Sequence, residues 1–218
     1  MANAQAAASQ ESHRVILFGG QGSTSVFSSA TSSITEQNAK LYPACTILLS
    51  RYHAAFLEEM SSLDMKVIGL LGIDINLFRM PRDLLVPPVV LQKHGIIQAT
   101  TIYVHQTLHY LAEVLGSGTN FTCFHSEIIE AAGFCSGMIP AAVVSASPEL
   151  DDFIRLSIEG FRLAFWIAFR SVLYSMGFNQ IDSRHTNASW SLVIIGLEQS
   201  EVENQLRCFY RVSNLDSS

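Results

Sequence analysis

Five residues, Gly133-Phe134-Cys135-Ser136-Gly137, restrict the folding of this chain more than any other stretch. They form a G-x-C-x-G pattern between an apolar run, Ile128 to Ala132, and a run of small residues, Met138 to Ala146. In the G-x-S-x-G form of this device a strand enters a helix through a turn so sharp that only glycine fits on either side. The middle residue is then held strained and exposed at the helix start. The pattern therefore predicts a strand running into the turn, a helix behind it, and Cys135 presented between them as a nucleophile. Thiolate is the reactive form of such a residue, and the free N–H groups and partial positive charge of a helix start favour it. The chemistry this suits is an acyl group held on Cys135 as a thioester. The competing reading is a small buried hydrophobe in a glycine-rich turn.

With 218 residues, the chain is long enough for one large domain, or for a domain with a small subdomain attached. Hydrophobic residues make up 49% and charged residues 15%, which predicts apolar surface covered by further chain or by a partner. The formal charge is −6, with no basic run and no aromatic–basic interleaving, which argues against a nucleic-acid partner. Cys45, Cys123, Cys135 and Cys208 are scattered without a C-x-x-C pair, the usage of reduced thiols in the cytoplasm. Met1 to Gln10 is alanine-rich and polar, without the basic and apolar regions of a signal peptide, and residues 1–13 are expected to be disordered. Phe161 to Tyr174 is the most membrane-like stretch, but Arg162 and Arg170 interrupt it and it is too short to span a bilayer. A cytoplasmic protein with no membrane or nucleic-acid partner is the expectation.

Along the chain, Arg14 to Phe18 reads as a strand ending in a second glycine turn, Gly19-Gly20-Gln21-Gly22-Ser23. This turn lacks the lysine of a phosphate-binding loop and suits a backbone N–H offered to an oxygen. Val26 to Ser33 is serine-rich and reads as loop or weak helix. Pro43 to Leu63 predicts an amphipathic helix with Ile47, Leu48, Tyr52, Phe56, Leu57 and Met60 inward and Glu58 and Glu59 on the other side. Asp64 to Phe78 has no clear period. Gln92 to Leu115 is a long helix candidate containing His105-Gln106-Thr107-Leu108-His109. That motif looks like the zincin H-E-x-x-H with glutamine in place of the base, and it has no third ligand, so ordinary helix-face histidines are expected and no metal. Ser147-Pro148-Glu149 reads as the cap and first turn of a helix that is apolar on most faces, is expected to be buried, and stops at Gly177. Asn179 to Ser189 reads as a linker, Trp190 to Leu197 as a strand, and Ser200 to Tyr210 as a helix with a Ser200/Glu203 capping box.

Taken with Leu48 to Leu57, with Val86-Pro87-Pro88 to His94-Gly95-Ile96-Ile97-Gln98, and with Pro140-Ala141 after the elbow, the two glycine turns occur in the order of a known domain. Over about residues 14 to 210 the chain resembles the starter-unit acyl-carrier-protein transacylase domain of fungal non-reducing polyketide synthases, a relative of the malonyl-type acyltransferases. The resemblance implies an α/β-hydrolase-like core over residues 14–178, a linker over 179–189, and the start of a ferredoxin-like small subdomain over 190–218. It implies that Cys135 takes an acyl group from acyl-CoA and passes it to the phosphopantetheine thiol of an acyl carrier protein, with no permanently bound cofactor. The backbone N–H groups of Ser136 and Gln21 would hold the oxyanion. In malonyl-specific relatives an arginine downstream of the nucleophile binds the substrate carboxylate. An ungapped count puts Gly160 there, with Arg162 close by, so a neutral acyl starter is expected.

One departure bears on activity. The family's general base is a histidine beyond the small subdomain, and after Cys135 this sequence has only His185, ahead of the Trp190 strand. The expectation is a chain lacking the base and the end of the fold, slowed by ~100- to 10,000-fold, the contribution of a positioned base. A truncated, catalytically impaired domain acting by binding is the alternative. A serine hydrolase built on Ser136 is disfavoured, since no Asp/His partners follow in the order that fold needs.

Overall fold

The computed structural model describes residues 13–20 and 29–181, together with the helical positions 200, 201, 203, 204 and 207. Gln21, His185, the expected Trp190 strand and Cys208 lie outside the described residues. The chain divides into two compact units, residues 1–175 and 176–218. In the second unit Arg207 pairs with Glu203 at 3.5 Å, one helical turn apart.

The first unit opens with strand β1 (Arg14–Phe18), as its β-branched and aromatic residues predict. Helix α1 (Ser29–Leu41) follows, then α2 (Pro43–Ser62), α3 (Met65–Leu71), and three short 3₁₀ turns at Ile75–Leu77, Pro81–Leu84 and Val89–Leu91. Next come α4 (Gly95–Gly116), α5 (Phe121–Ser126), strand β2 (Ile128–Gly133), a 3₁₀ turn at Cys135–Gly137, α6 (Met138–Ser145) and α7 (Leu150–Ile181). β1 and β2 pair in parallel, from Arg14 opposite Ile128 to Phe18 opposite Gly133, with an irregularity between Arg14 and Val15. Parallel strands run out at the same end of the sheet, so both glycine turns leave from one edge. At the other end Arg14 bonds Glu127 at 2.6 Å and lies 4.4 Å from the centre of the Phe124 ring.

Helix α4 is the centre of the core. Ile96, Ile97, Ile102, Val104, Leu108, Leu111 and Val114 are all buried, and so are Thr100, Thr101 and Thr107. Thr100 and Thr107 stay satisfied inside by bonding the carbonyls one turn back, whereas the Thr101 hydroxyl has no partner among the described residues. Tyr52 of α2 donates to the Thr107 hydroxyl at 2.8 Å, and Tyr103 donates to the Ser157 carbonyl of α7 at 2.9 Å. Tyr52 also stacks on Phe161 with ring centres 5.2 Å apart, tying the three helices together.

Several expectations need correction. Of Val26 to Ser33, read as loop or weak helix, the part from Ser29 is helical and opens α1, which continues to Leu41: serine and threonine lower helix propensity, but burial of Thr35 and Ala39 overrides it. In α2 the polar and apolar faces are offset from the expected ones. Ile47 is exposed, whereas Glu59 is buried against α7. There Arg162 bonds both Glu59 and Glu58, and Trp166 Nε1 donates to Glu59 at 2.8 Å. Asp64 to Phe78, without a clear period in sequence, contains α3, capped by the Asp64 carboxylate and closed by Gly72 at φ +66°, and then the 3₁₀ turn at Ile75–Leu77. α7 starts at Leu150, because the Ser147 hydroxyl bonds back to the Val143 carbonyl and leaves Glu149 to accept the first helical bond from Phe153. It passes through Gly177 to Ile181, so the expected stop and the first three residues of the expected linker are helical. Nor is it buried on all the apolar faces: Phe153, Ser157, Phe161, Phe165 and Phe169 are buried, while Leu163 and Ile167 are exposed.

Two outcomes follow from this packing. Replacing Arg162 by methionine leaves the Glu59 carboxylate buried with only the Trp166 N–H, and the fold should lose about 2 kcal/mol, read from the urea midpoint. The second concerns pH. Burial holds the His105 imidazole below its ordinary pKa. In the neutral ring Nε2–H donates to the Leu85 carbonyl at 3.0 Å, and Nδ1 accepts from the Thr35 hydroxyl at 2.8 Å. His94 is lowered by burial as well. The unfolded chain takes up these protons first, so stability is greatest above about pH 6.5 and declines as pH falls from there toward the lowered folded values. Unfolding midpoints between pH 5 and pH 8 should show this slope, and His105→Gln should flatten it.

Candidate active site

The elbow forms because three glycines allow backbone segments to touch. At Gly133 an added Cβ would overlap the Gly137 carbonyl, and at Gly137 it would overlap the Phe18 and Gly19 carbonyls. From the other strand, a Cβ on Gly20 would come within 2.8 Å of the Cys135 Cβ and 2.9 Å of the Phe134 carbonyl. Such distances are well inside van der Waals contact, so side chains there would push the two turns apart. The Phe134 N–H donates to the Phe18 carbonyl at 3.0 Å, and the Gly137 N–H donates to the Phe134 carbonyl at 3.0 Å. Between these bonds Cys135 sits at φ +55°, the only non-glycine residue at positive φ among the described residues. A single residue in that left-handed region costs about 1–2 kcal/mol, and it persists here because the surrounding contacts over-determine it.

Cys135 is exposed at the head of the 3₁₀ turn that leads into α6, as the pattern predicts, so the buried-hydrophobe reading does not hold. Ser136 follows with its hydroxyl oxygen buried and without a partner among the described residues. A hydroxyl so enclosed is poorly placed for attack on an external substrate. Sequence reasoning did not foresee Gln106 here. Its amide Nε2 donates to the Gly19 carbonyl at 2.6 Å, so α4 reaches the first glycine turn through the residue that stands where the zincin motif has its base. His105 spends both ring nitrogens inside the core, and His109 is exposed, with Nε2 3.9 Å from Glu113.

Three further histidines also bond elsewhere. His53, His94 and His125 each place Nε2 on a backbone carbonyl, of Phe78, Leu71 and Val144 respectively. The positions next to the counted substrate-arginine site are likewise committed. Gly160 packs so tightly on the Tyr103 hydroxyl and Val143 that a longer side chain has no room, and Arg162 is held by Glu58 and Glu59. Between α6 and α7 lies an open groove of about 400 Å³ lined by Met138, Ile139, Ala142, Val143, Leu156 and Leu163.

The thiols differ sharply in environment. Burial pushes the Cys45 thiol up to about 12, whereas Cys123 and Cys135 are exposed. A short exposure of the folded protein to iodoacetamide at neutral pH should label Cys135 and Cys123 and spare Cys45, as read by peptide mass spectrometry. Labelling of Cys45 at the rate of Cys135 would contradict the packing around it.

Comparison with known proteins bears on this geometry. The family model described as starter unit:ACP transacylase in aflatoxin biosynthesis matches residues 16–218. Orsellinic acid synthase ArmB of Armillaria ostoyae is 30% identical over 209 residues, which cover 90% of this chain and 9% of that protein. The orsellinic acid synthase of Beauveria bassiana is 30% identical over 196 residues, covering 87% of this chain and 8% of its own length. A non-reducing polyketide synthase, stmB of Aspergillus ustus, is 24% identical over 92 residues, or 42% of this chain. This chain thus spans less than a tenth of the length of the synthases it matches. With the family model covering nearly every residue from the first strand onward, the chain belongs to the starter unit:ACP transacylase family.

Proposed function

We propose that this chain is a starter-unit acyltransferase in which Cys135 carries the acyl group between coenzyme A and an acyl carrier protein. The observation that supports this best is an exposed cysteine at positive φ between strand and helix, with a second glycine turn packed on its Cβ. In the first half-reaction the Cys135 sulfur attacks the thioester carbonyl carbon of acyl-CoA and its proton is released. The carbon–sulfur bond to coenzyme A breaks, and the coenzyme leaves as a thiol after taking up a proton. In the second half-reaction the phosphopantetheine thiol of the carrier protein attacks the Cys135 thioester, loses its proton, and returns Cys135 as a thiol. Each attack builds an oxyanion, for which the Ser136 N–H and the Gln21 N–H are the proposed donors.

The parallel pair β1–β2 with α6 behind it is, in this reading, part of an α/β-hydrolase-like core, and the ferredoxin-like subdomain begins at Trp190. A neutral acyl starter suits the site, since Gly160 leaves no room for a cation and Arg162 is engaged by two carboxylates. The partner is the acyl carrier protein of a fungal polyketide synthase, and no permanently bound cofactor enters the cycle.

Intact-mass measurement after brief exposure to acetyl-, butyryl-, hexanoyl-, octanoyl- and malonyl-CoA tests the proposal. Neutral acyl adducts should appear that are lost in Cys135→Ala, with malonyl loaded least. If the folded protein takes no acyl group, or takes one that survives Cys135→Ala, the nucleophile assignment is wrong.

A further inference from the structure

We infer that Gln106 is a positioning residue for this acyl transfer: its amide holds the Gly19 carbonyl and so fixes the first glycine turn against Cys135. The inference rests on the acyltransferase reading above and adds to it a residue from the central helix.

Gly19 and Gly20 form a pair with no side chain to restrict them, at the end of a strand where ladder bonding stops. Left alone, such a pair samples a wide range of backbone conformations. The Gln106 Nε2–H to Gly19 carbonyl bond, at 2.6 Å, ties it to α4 across 87 residues of sequence. α4 is a stiff anchor, since Ile102, Tyr103, Val104, His105 and Leu108 around Gln106 are all buried. The amide can face only one way. Turning it over would place Oε1 against the Gly19 carbonyl, two acceptors in contact, so the nitrogen is the donor.

That orientation has a cost in the fold. Gln106 Oε1 is buried without a hydrogen-bond partner among the described residues, and an unsatisfied buried acceptor opposes folding. A methionine of similar shape would avoid it. Holding the turn is what the glutamine does that methionine cannot. Because the peptide is planar and trans, fixing the Gly19 carbonyl also fixes the Gly20 N–H in the opposite direction. Gly20 is the residue whose backbone closes on the Cys135 Cβ and the Phe134 carbonyl. Donors to an oxyanion act through their placement relative to the nucleophile, so loosening this turn weakens transfer without altering the thiol.

Acylation and alkylation separate those two effects. Attack on a thioester builds an oxyanion, whereas displacement of iodide from iodoacetamide at a saturated carbon builds none, and both use the same sulfur. The test compares wild type, Gln106→Met and Gln106→Glu in the full chain. It measures single-turnover acylation of Cys135 by acetyl-CoA and hexanoyl-CoA, and alkylation of Cys135 by iodoacetamide. Both substitutions should slow acylation by about tenfold or more, since small misplacements of catalytic groups have effects of this order or larger. Alkylation of Cys135 should proceed at the wild-type rate in both. Acylation at the wild-type rate in Gln106→Met would overturn the inference. So would a parallel fall of acylation and alkylation, which marks a residue that merely supports the fold. If wild type itself accepts no acyl group on Cys135, the acyltransferase reading fails and this inference falls with it.

Discussion

Parallel pairing of β1 with β2 is the constraint from which the rest of the site follows. Two strands distant in sequence are brought into a register that sets Phe18 opposite Gly133, so each chain leaves the sheet at the same level. A shift by one residue would reverse the faces of one strand and separate the two turns along the edge. With this register the Phe18 carbonyl accepts the Phe134 N–H, and Gly137 closes on the Phe18 and Gly19 carbonyls. The ladder therefore continues into the elbow as backbone contact rather than ending at the last strand residue. Strain at Cys135 is held by those contacts, and relaxing it would require the first strand to move as well.

Such pairing needs a crossover, and here α1 to α5 supply it. α4 does the central part of that task. Its buried face packs α2 and α7 through Tyr52, Tyr103 and Phe161, and one polar side chain, Gln106, reaches the turn. The sheet itself is narrow: Val15 and Leu17 of β1 are 51% and 75% exposed, so burial in the core does not come from both faces of this pair. Helix packing thus adds to the sheet hydrogen bonds that keep the two turns together.

Much of this was legible in the sequence where a local rule decided the outcome. The Arg14–Phe18 strand, the elbow at Cys135, the α2 span and the long α4 each follow from a short-range pattern. What escaped depended on partners far away. Glu59 looked solvent-facing because its own helix offers it no cation, and Arg162 comes from the other end of the unit. The start of α7, by contrast, was misplaced over a local choice: the Ser147 hydroxyl donates back to the Val143 carbonyl, where a capping serine would have accepted a helix N–H. Gln106 was seen only as a substituted base in a metal-binding pattern. A hint was available, since a glutamine keeps hydrogen-bonding capacity where a metalloprotease needs charge, but nothing local names Gly19 as its acceptor.

The arrangement also explains why a cysteine suits this elbow. His53, His94, His105 and His125 already spend ring nitrogens on carbonyls, a threonine hydroxyl or a backbone N–H, and His109 faces Glu113, so no described hydrogen bond sets a histidine base at the elbow. A thiol is intrinsically nucleophilic and partly ionised near neutral pH, so it depends less on such a partner than serine does. What a thiol cannot supply for itself is stabilisation of the oxyanion, which must come from backbone N–H groups held in place. In the proposed reading, three close-packed glycines, a strand register and a glutamine from the central helix would hold them. Placement of backbone, more than activation of the nucleophile, is therefore the physical basis on which catalysis by this site would rest.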